Sequence, residues 1–151
     1  MNQEITHPSV DIIILVSPTT ELPAYGTSLS SGFDIKADIR EPITIKPGQR
    51  VLISSGLKLK IPVGYELQIR PRSGLALNHG ITVVNSPGTI DADYRNFVGI
   101  ILINHGLEDF IVRHGMKIAQ GVVTQVFNAK FCIVENLDET NRKGGFGSTG
   151  I

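Results

Sequence analysis

Apolar, β-branched stretches of three to nine residues recur along this chain, and each is closed off by Pro, Gly or a polar cluster before it can grow. They fall at 10–16, 50–53, 57–61, 65–69, 81–84, 98–103, 110–112, 118–126 and 131–134. With sixteen Gly and eight Pro in 151 residues, punctuation arrives too often for long helices. No window carries an apolar stripe of helical period. The best helical candidate is the short segment Ser73-Gly74-Leu75-Ala76-Leu77-Asn78 after Pro71, with Ser73 placed to cap it. The pattern predicts an all-β chain, a jelly-roll-like sandwich or small barrel with one short helix.

Within that frame, Leu57-Lys58-Leu59-Lys60-Ile61 and Tyr65-Glu66-Leu67-Gln68-Ile69 alternate apolar and polar residues on either side of Pro62-Val63-Gly64, which reads as a hairpin. No linker or repeat divides the chain, so residues 1–135 are expected to form a single β domain. From Asn136 onward the sequence turns polar and Gly-rich, and 136–151 reads as a mobile C-terminal arm. The sixteen residues of that arm can span about 50 Å if extended, enough to reach a neighbouring subunit.

Charge and composition exclude several function classes. Fourteen basic residues balance fourteen acidic ones, so nothing in the net charge draws the chain to nucleic acid or to an anionic membrane, and neither partner is expected. The longest wholly aliphatic run is short of a membrane span and Met-Asn-Gln-Glu is no signal peptide, which predicts a cytoplasmic protein. Cys132, the single cysteine, sits in an apolar run and reads as buried filler. His7, His79, His105 and His114 lack the spacing of a zinc site.

Five segments carry chemistry. Asn85-Ser86-Pro87-Gly88-Thr89-Ile90-Asp91-Ala92-Asp93-Tyr94-Arg95-Asn96 sets a carboxylate, an aromatic ring and a cation near a tight turn, with Asp91 at the mouth of a hairpin running from Thr89 to Val98. Arg70-Pro71-Arg72-Ser73-Gly74 places guanidinium groups beside the start of the candidate helix, a composition suited to phosphate. Ser31-Gly32-Phe33-Asp34-Ile35 and Gly115-Met116-Lys117-Ile118-Ala119-Gln120 each read as a turn entering a strand. The end of the chain, Arg142-Lys143-Gly144-Gly145-Phe146-Gly147-Ser148-Thr149-Gly150-Ile151, combines cations, hydroxyls and close-approach backbone with no helix to follow, so it is an anion grip but not a P-loop.

Taken in order, these segments resemble the five motifs of the trimeric dUTP diphosphatases (dUTPases), and the likeness spans nearly the whole chain. The resemblance implies a jelly-roll subunit, a homotrimer with three shared active sites, and Mg2+-dependent cleavage of dUTP to dUMP and pyrophosphate. By resemblance, Asp91 is the catalytic base, Arg72, Ser73, Gly74 and Gln120 grip the triphosphate and orient water, and Asp34 meets Mg2+ through water. Asn85, with Gly88, Thr89 and Ile90, would read uracil, while Tyr94 would pack on deoxyribose and exclude a ribose hydroxyl. Arg142, Phe146, Gly147, Ser148 and Thr149 would close over the nucleotide as a lid, with Phe146 stacked on uracil; the arm is expected to be disordered until nucleotide binds.

Three positions depart from the family pattern. Asn96 stands where Gly is usual, Phe97 replaces a frequent acidic residue, and Arg142 lies one residue closer to Gly144-Gly145-Phe146 than in most relatives. The related dCTP deaminases carry a catalytic Glu on the strand after the third motif, whereas 98–103 holds no carboxylate. A non-catalytic nucleotide-binding trimer is the alternative from another class, and the presence of Asp91 and Tyr94 speaks against it.

Overall fold

A computed structural model describes residues 7–141 and Gly144. Among them are eleven strands and one helix: β1 (Ile13–Val16), β2 (Phe33–Lys36), β3 (Ile43–Ile45), β4 (Arg50–Ser54), β5 (Leu57–Lys60), β6 (Tyr65–Arg70), α1 (Ser73–His79), β7 (Ile81–Val83), β8 (Gly88–Ile90), β9 (Gly99–Asn104), β10 (Phe110–Val112) and β11 (Lys117–Gln125). A four-stranded sheet of order β2-β11-β6-β8 and a three-stranded sheet of order β4-β9-β7 are joined by two-stranded ribbons, β1-β5 and β10-β3. The all-β expectation holds, and the jelly-roll-like architecture with it.

Period-two burial drives this arrangement. Along β9, Ile100, Leu102 and Asn104 are buried while their neighbours face outward, and β6 buries Leu67 and Ile69 between polar positions. Inward residues of both sheets, including Ile35, Ile53, Leu67, Ile81, Ile100, Leu102 and Ile118, meet in one continuous core. Ser55 and Asn104 are the polar residues buried among the described ones, and both are satisfied: the Ser55 hydroxyl donates to the Val98 carbonyl, the Asn104 amide nitrogen donates to the carbonyls of Ile45 and Glu108, and the Asn104 amide oxygen accepts from the Gly106 N–H.

The segment between β1 and β2 is strapped to the sheet by one carboxylate. Asp38 accepts from the Ser17 hydroxyl at 2.7 Å and the Thr19 hydroxyl at 2.6 Å, with His114 Nδ1 at 3.7 Å. The Thr19 hydroxyl chiefly, with Ser17, Thr20 and His114 adding to it, holds the Asp38 carboxyl below its ordinary value against the opposing effect of burial.

Four expectations are corrected. The stretches at 57–61 and 65–69 do not pair with each other; β5 pairs with β1, and β6 with β11 and β8, so the turn at Pro62 passes the chain between sheets. Alternation marked two half-buried strands but carries no information on partners. Likewise β8 pairs with β6 and not with the strand beginning at Gly99, so residues 91–98 form a sheet-crossing loop and not a hairpin ladder. Residues 131–134 form no strand, and Cys132 is exposed with them, because β11 ends at Gln125 and everything from there to residue 141 lies on the surface of the single chain. Finally, Arg72, in an extended conformation, occupies the N-cap of α1 with no side-chain cap, and Ser73 is already helical. The helix stops at Gly80, whose left-handed backbone (φ 67°) suits Gly best.

Candidate functional site

Three of the sequence motifs converge at one end of the four-stranded sheet. Gln120 on β11 is the direct cross-strand partner of both Asp34 on β2 and Arg70 at the end of β6, so the central strand carries its amide between the two flanking motifs. The chain leaves β6 through Pro71 and enters α1 at once, which brings Arg72, Ser73 and Gly74 over the same end. Together Asp34, Arg72, Ser73, Gly74 and Gln120 line an open cleft of about 420 Å³, with Leu75, Asn78 and His79 forming its far wall.

Side chains in this cleft are held by contacts with one another and with the backbone. Arg72 Nε stands 3.1 Å from Asp34 Oδ1, and Lys117 Nζ stands 2.6 Å from Asp34 Oδ2. Arg72 Nη1 also donates to the Lys117 carbonyl at 3.2 Å. The Gln120 amide nitrogen donates to the Pro71 carbonyl at 2.9 Å, and its Oε1 lies over Gly32, where a Cβ would stand only 2.7 Å from it. Gly32 is therefore required by close approach: a larger residue displaces the amide.

The third motif is built separately. Gly88 lies close under Asn85, whose Nδ2 would be 3.2 Å from a Cβ there. After β8, a turn closes with the Tyr94 N–H donating to the Asp91 carbonyl at 3.1 Å. Arg95 staples the loop from within, its Nη1 donating to the carbonyls of Ala92 at 2.7 Å and Tyr94 at 2.9 Å. The Tyr94 hydroxyl donates to the Phe97 carbonyl at 3.2 Å, and Lys58 caps the Phe97 ring at 4.6 Å. Asn96 and Phe97 thus sit in a loop that is fixed largely by their neighbours.

One chain does not bring the two halves together. Gly88 pairs with Ile69 and Ile90 with Leu67, so Asp91 emerges alongside Glu66, at the opposite end of β6 from Arg70. At a strand rise of about 3.3 Å and a spacing of about 4.8 Å, the Cα atoms of Asp91 and Arg70 are about 14 Å apart, and Asp91 is about 19 Å from Asp34. The cleft contains Asp34, Arg72, Ser73, Gly74 and Gln120 but neither Asp91 nor Tyr94. Arg142, Phe146, Gly147, Ser148 and Thr149 lie outside the described residues. Sequence reasoning missed Leu75, Asn78, His79 and the direct contact of Lys117; helical spacing from Ser73 was the available signal for the first three.

The donor set speaks to metal binding. Among the described residues no cluster of three or more His, Cys, Asp or Glu side chains could hold an ion, and Asp34 is the one carboxylate lining the cleft. A single carboxylate suits a hydrated divalent cation whose other ligands come from outside the protein. No helix among the described residues is long and apolar enough to cross a membrane.

Comparison with known proteins agrees with this geometry. The dUTPase family profile matches residues 19–150. The deoxyuridine 5'-triphosphate nucleotidohydrolase of Roseobacter denitrificans is 58% identical over 131 residues, covering 85% of this chain and 86% of that protein. Its counterpart in Chlamydia caviae is 56% identical over 143 residues, covering 92% and 97%. Among solved structures, the dUTPase of Staphylococcus bacteriophage 80alpha with dUpNHpp superposes with a TM-score of 0.82 at 20% identity, covering 95% of this chain and 100% of that one. A variant dUTPase from phage phi11 of S. aureus, described as coordinating a structural Mg(II) ion, has a TM-score of 0.77 at 20% identity, covering 86% and 100%. A profile match over most of the chain, and relatives above half identity across nearly their full length, agree with the motif order: this chain belongs to the dUTPase family.

Proposed function

We propose that this chain is a dUTP diphosphatase, hydrolysing dUTP to dUMP and pyrophosphate with Mg2+, in active sites shared between the subunits of a homotrimer. The single observation that carries the reading is the division of the site: a phosphate-suited cleft at one end of the four-stranded sheet, and a carboxylate with a nucleoside-suited loop at the other. Only a second copy can set Asp91 beside the first copy's Arg72. Apolar surface supports that association. Leu52 on the outer face of the three-stranded sheet is 66% exposed beside Ile101, its cross-strand partner, and Val84. Phe127, Phe131, Ile133 and Leu137 are at least 84% exposed in the single chain. Burying each against neighbouring copies would contribute about 1.5–3 kcal/mol.

In this reading the reaction is a single displacement at phosphorus. A water oxygen bonds to the α-phosphorus, the bond from that phosphorus to the α–β bridging oxygen breaks, Asp91 takes the water's proton, and pyrophosphate leaves. Arg72 and Ser73 neutralise the charge that grows on the leaving phosphates, and the tethered amide of Gln120 orients polar groups in the cleft. Asp34 would hold Mg2+ through water if the ion arrived with the phosphates, and the ion would supply further charge neutralisation. Asn85 and the backbone of Gly88, Thr89 and Ile90 read the uracil edge; cytosine, with exchanged donor and acceptor, leaves buried groups unpaired, a mismatch that can reach about 10,000-fold. Tyr94, held by its hydroxyl, walls the sugar against a ribose 2'-hydroxyl. The terminal residues Arg142, Phe146, Gly147, Ser148 and Thr149 act as the closing arm.

Such an enzyme acts in the cytoplasm, limits uracil entry into DNA, and supplies dUMP for thymidylate synthesis. The test is to incubate the protein with Mg2+ and dUTP, dTTP, dCTP or UTP in turn and to assay pyrophosphate and ammonia. Pyrophosphate from dUTP alone supports the proposal; ammonia from dCTP, or no product, overturns it.

A further inference from the structure

The start of β11 carries a bulge with a consequence for the cleft. Gly121, Gln120 and Ala119 pair in regular order with Phe33, Asp34 and Ile35, which would set Ile118 opposite Lys36; instead Lys117 takes that place. The slip lets Ile118 and Ala119 both turn inward, each with no exposed surface, and moves Lys117 onto the face that holds Asp34 and Gln120. Without the bulge Lys117 would share the opposite face with Ala119.

Lys117 then meets Asp34 and Arg72 in two ways. Its Nζ is 2.6 Å from Asp34 Oδ2, and its backbone carbonyl accepts from Arg72 Nη1 at 3.2 Å. Asp34 therefore bridges two cations, with Oδ1 on Arg72 Nε at 3.1 Å. A carboxylate beside a guanidinium otherwise favours the two-pronged pairing that engages two of its nitrogens. With Oδ2 taken by Lys117, Arg72 meets Asp34 in an ion pair through Nε, and among the described residues Nη2 is left for another acceptor.

From this we infer that Lys117 is a positioning residue for the phosphate grip, acting on Arg72 through Asp34; the inference rests on the dUTP diphosphatase reading above. Lys117 keeps Asp34 from absorbing the guanidinium edge that the triphosphate needs. Glu21 pairs with Lys36, the β2 lysine opposite Lys117 on this face of the sheet, so Lys36 is already engaged elsewhere. Substrate binding, more than the chemical step, depends on the arrangement.

The experiment is a double-mutant cycle read by binding. The affinity of dUpNHpp, in which nitrogen replaces a phosphate bridging oxygen, is measured with Mg2+ by calorimetry, alongside KM and kcat for dUTP. Lys117→Met is expected to weaken dUpNHpp about tenfold and raise KM similarly, with kcat within about threefold, as for loss of the cation that occupies Asp34 Oδ2. Lys117→Arg restores affinity to within about threefold, because the cation returns to Oδ2. In an Asp34→Asn background, where the amide oxygen can still serve Arg72 but its NH2 cannot accept from Lys117, Lys117→Met changes affinity by less than about twofold. A tenfold loss persisting in that background would mean direct phosphate contact and would overturn the inference, as would no loss in the parent or no rescue by Arg. Failure of the parent protein to bind dUpNHpp or cleave dUTP would instead sink the underlying functional proposal.

Discussion

Gly121 is where packing and site geometry meet, so replacing it with Ala tests both. It sits buried at the centre of the four-stranded sheet, paired with Phe33 on one side and Ile69 on the other. A Cβ there would stand 2.7 and 2.8 Å from the Phe33 ring and 3.0 Å from Leu67 Cδ1, whereas ordinary contact begins at 3.4 Å. Leu67 has no exposed surface to retreat into, so the ring must give. Phe33 is backed edge-on by Tyr25, with centroids 5.6 Å apart. Overpacking of this kind costs about 1–3 kcal/mol, and at about 2–4 °C per kcal/mol for a chain of this size Tm should fall by about 2–12 °C. Because Phe33 precedes Asp34 and Gly121 follows Gln120, the same strain reaches the cleft, and kcat/KM for dUTP should fall by about tenfold or more. Thermal unfolding is compared at one protein concentration, since association makes Tm concentration-dependent. Gly26→Ala is the control, its Cβ meeting only Ser30 Oγ at 3.6 Å, and should leave stability within about 0.5 kcal/mol. A Gly121→Ala protein with Tm within about 1 °C of the parent and unchanged kcat/KM would refute the packing argument.

Other substitutions separate chemistry from scaffold. Asp91→Asn should keep dUpNHpp affinity within a few-fold and lower turnover by about 100-fold or more, as loss of the base requires; steady-state kinetics with full turnover would remove Asp91 from that role. Asp38→Asn breaks the strap to Ser17 and Thr19 and should cost about 1–3 kcal/mol in urea unfolding near neutral pH. Since the folded Asp38 carboxyl is held below its ordinary 3.8, its contribution is present above that pH and is lost as pH falls through the lower folded value. The parent should therefore lose stability below about pH 4 more steeply than the Asn variant; parallel pH profiles would contradict the strap. Truncation after Asn141 should leave a folded, associated protein with dUTP turnover at least about tenfold down, and a parental rate would exclude the arm from the mechanism.

Much of this molecule was legible in one-dimensional pattern, for physical reasons that also mark the limit. Alternation in Leu57-Lys58-Leu59-Lys60 and the inward positions of β9 follow from a two-residue period, so strands and core could be read directly. Pairing could not, because a strand's partner depends on register and twist across the whole sheet; the false hairpin at Pro62 came from taking sequence neighbours as spatial ones. Residues 131–134 misled for a related reason: apolar composition signals burial, but the partner surface need not belong to the same chain. Motif order singles out Asp34, Arg72 and Gln120, which line one cleft. The contact of Lys117 with Asp34 is not legible in its motif, since a bulge that re-aims one side chain leaves no mark in residue type.

In the proposed enzyme the base and the phosphate grip come from different chains, and mixed assemblies probe that division. Chains carrying Arg72→Ala and chains carrying Asp91→Asn, each nearly inactive alone, are co-assembled in equal amounts and assayed for pyrophosphate from dUTP. With random assortment in a closed symmetric oligomer, about one quarter of the shared sites receive an intact Arg72 from one chain and an intact Asp91 from another, so about a quarter of parental activity should return. Activity no higher than that of either variant assembled alone would place both residues in one chain's site and contradict a site shared between chains.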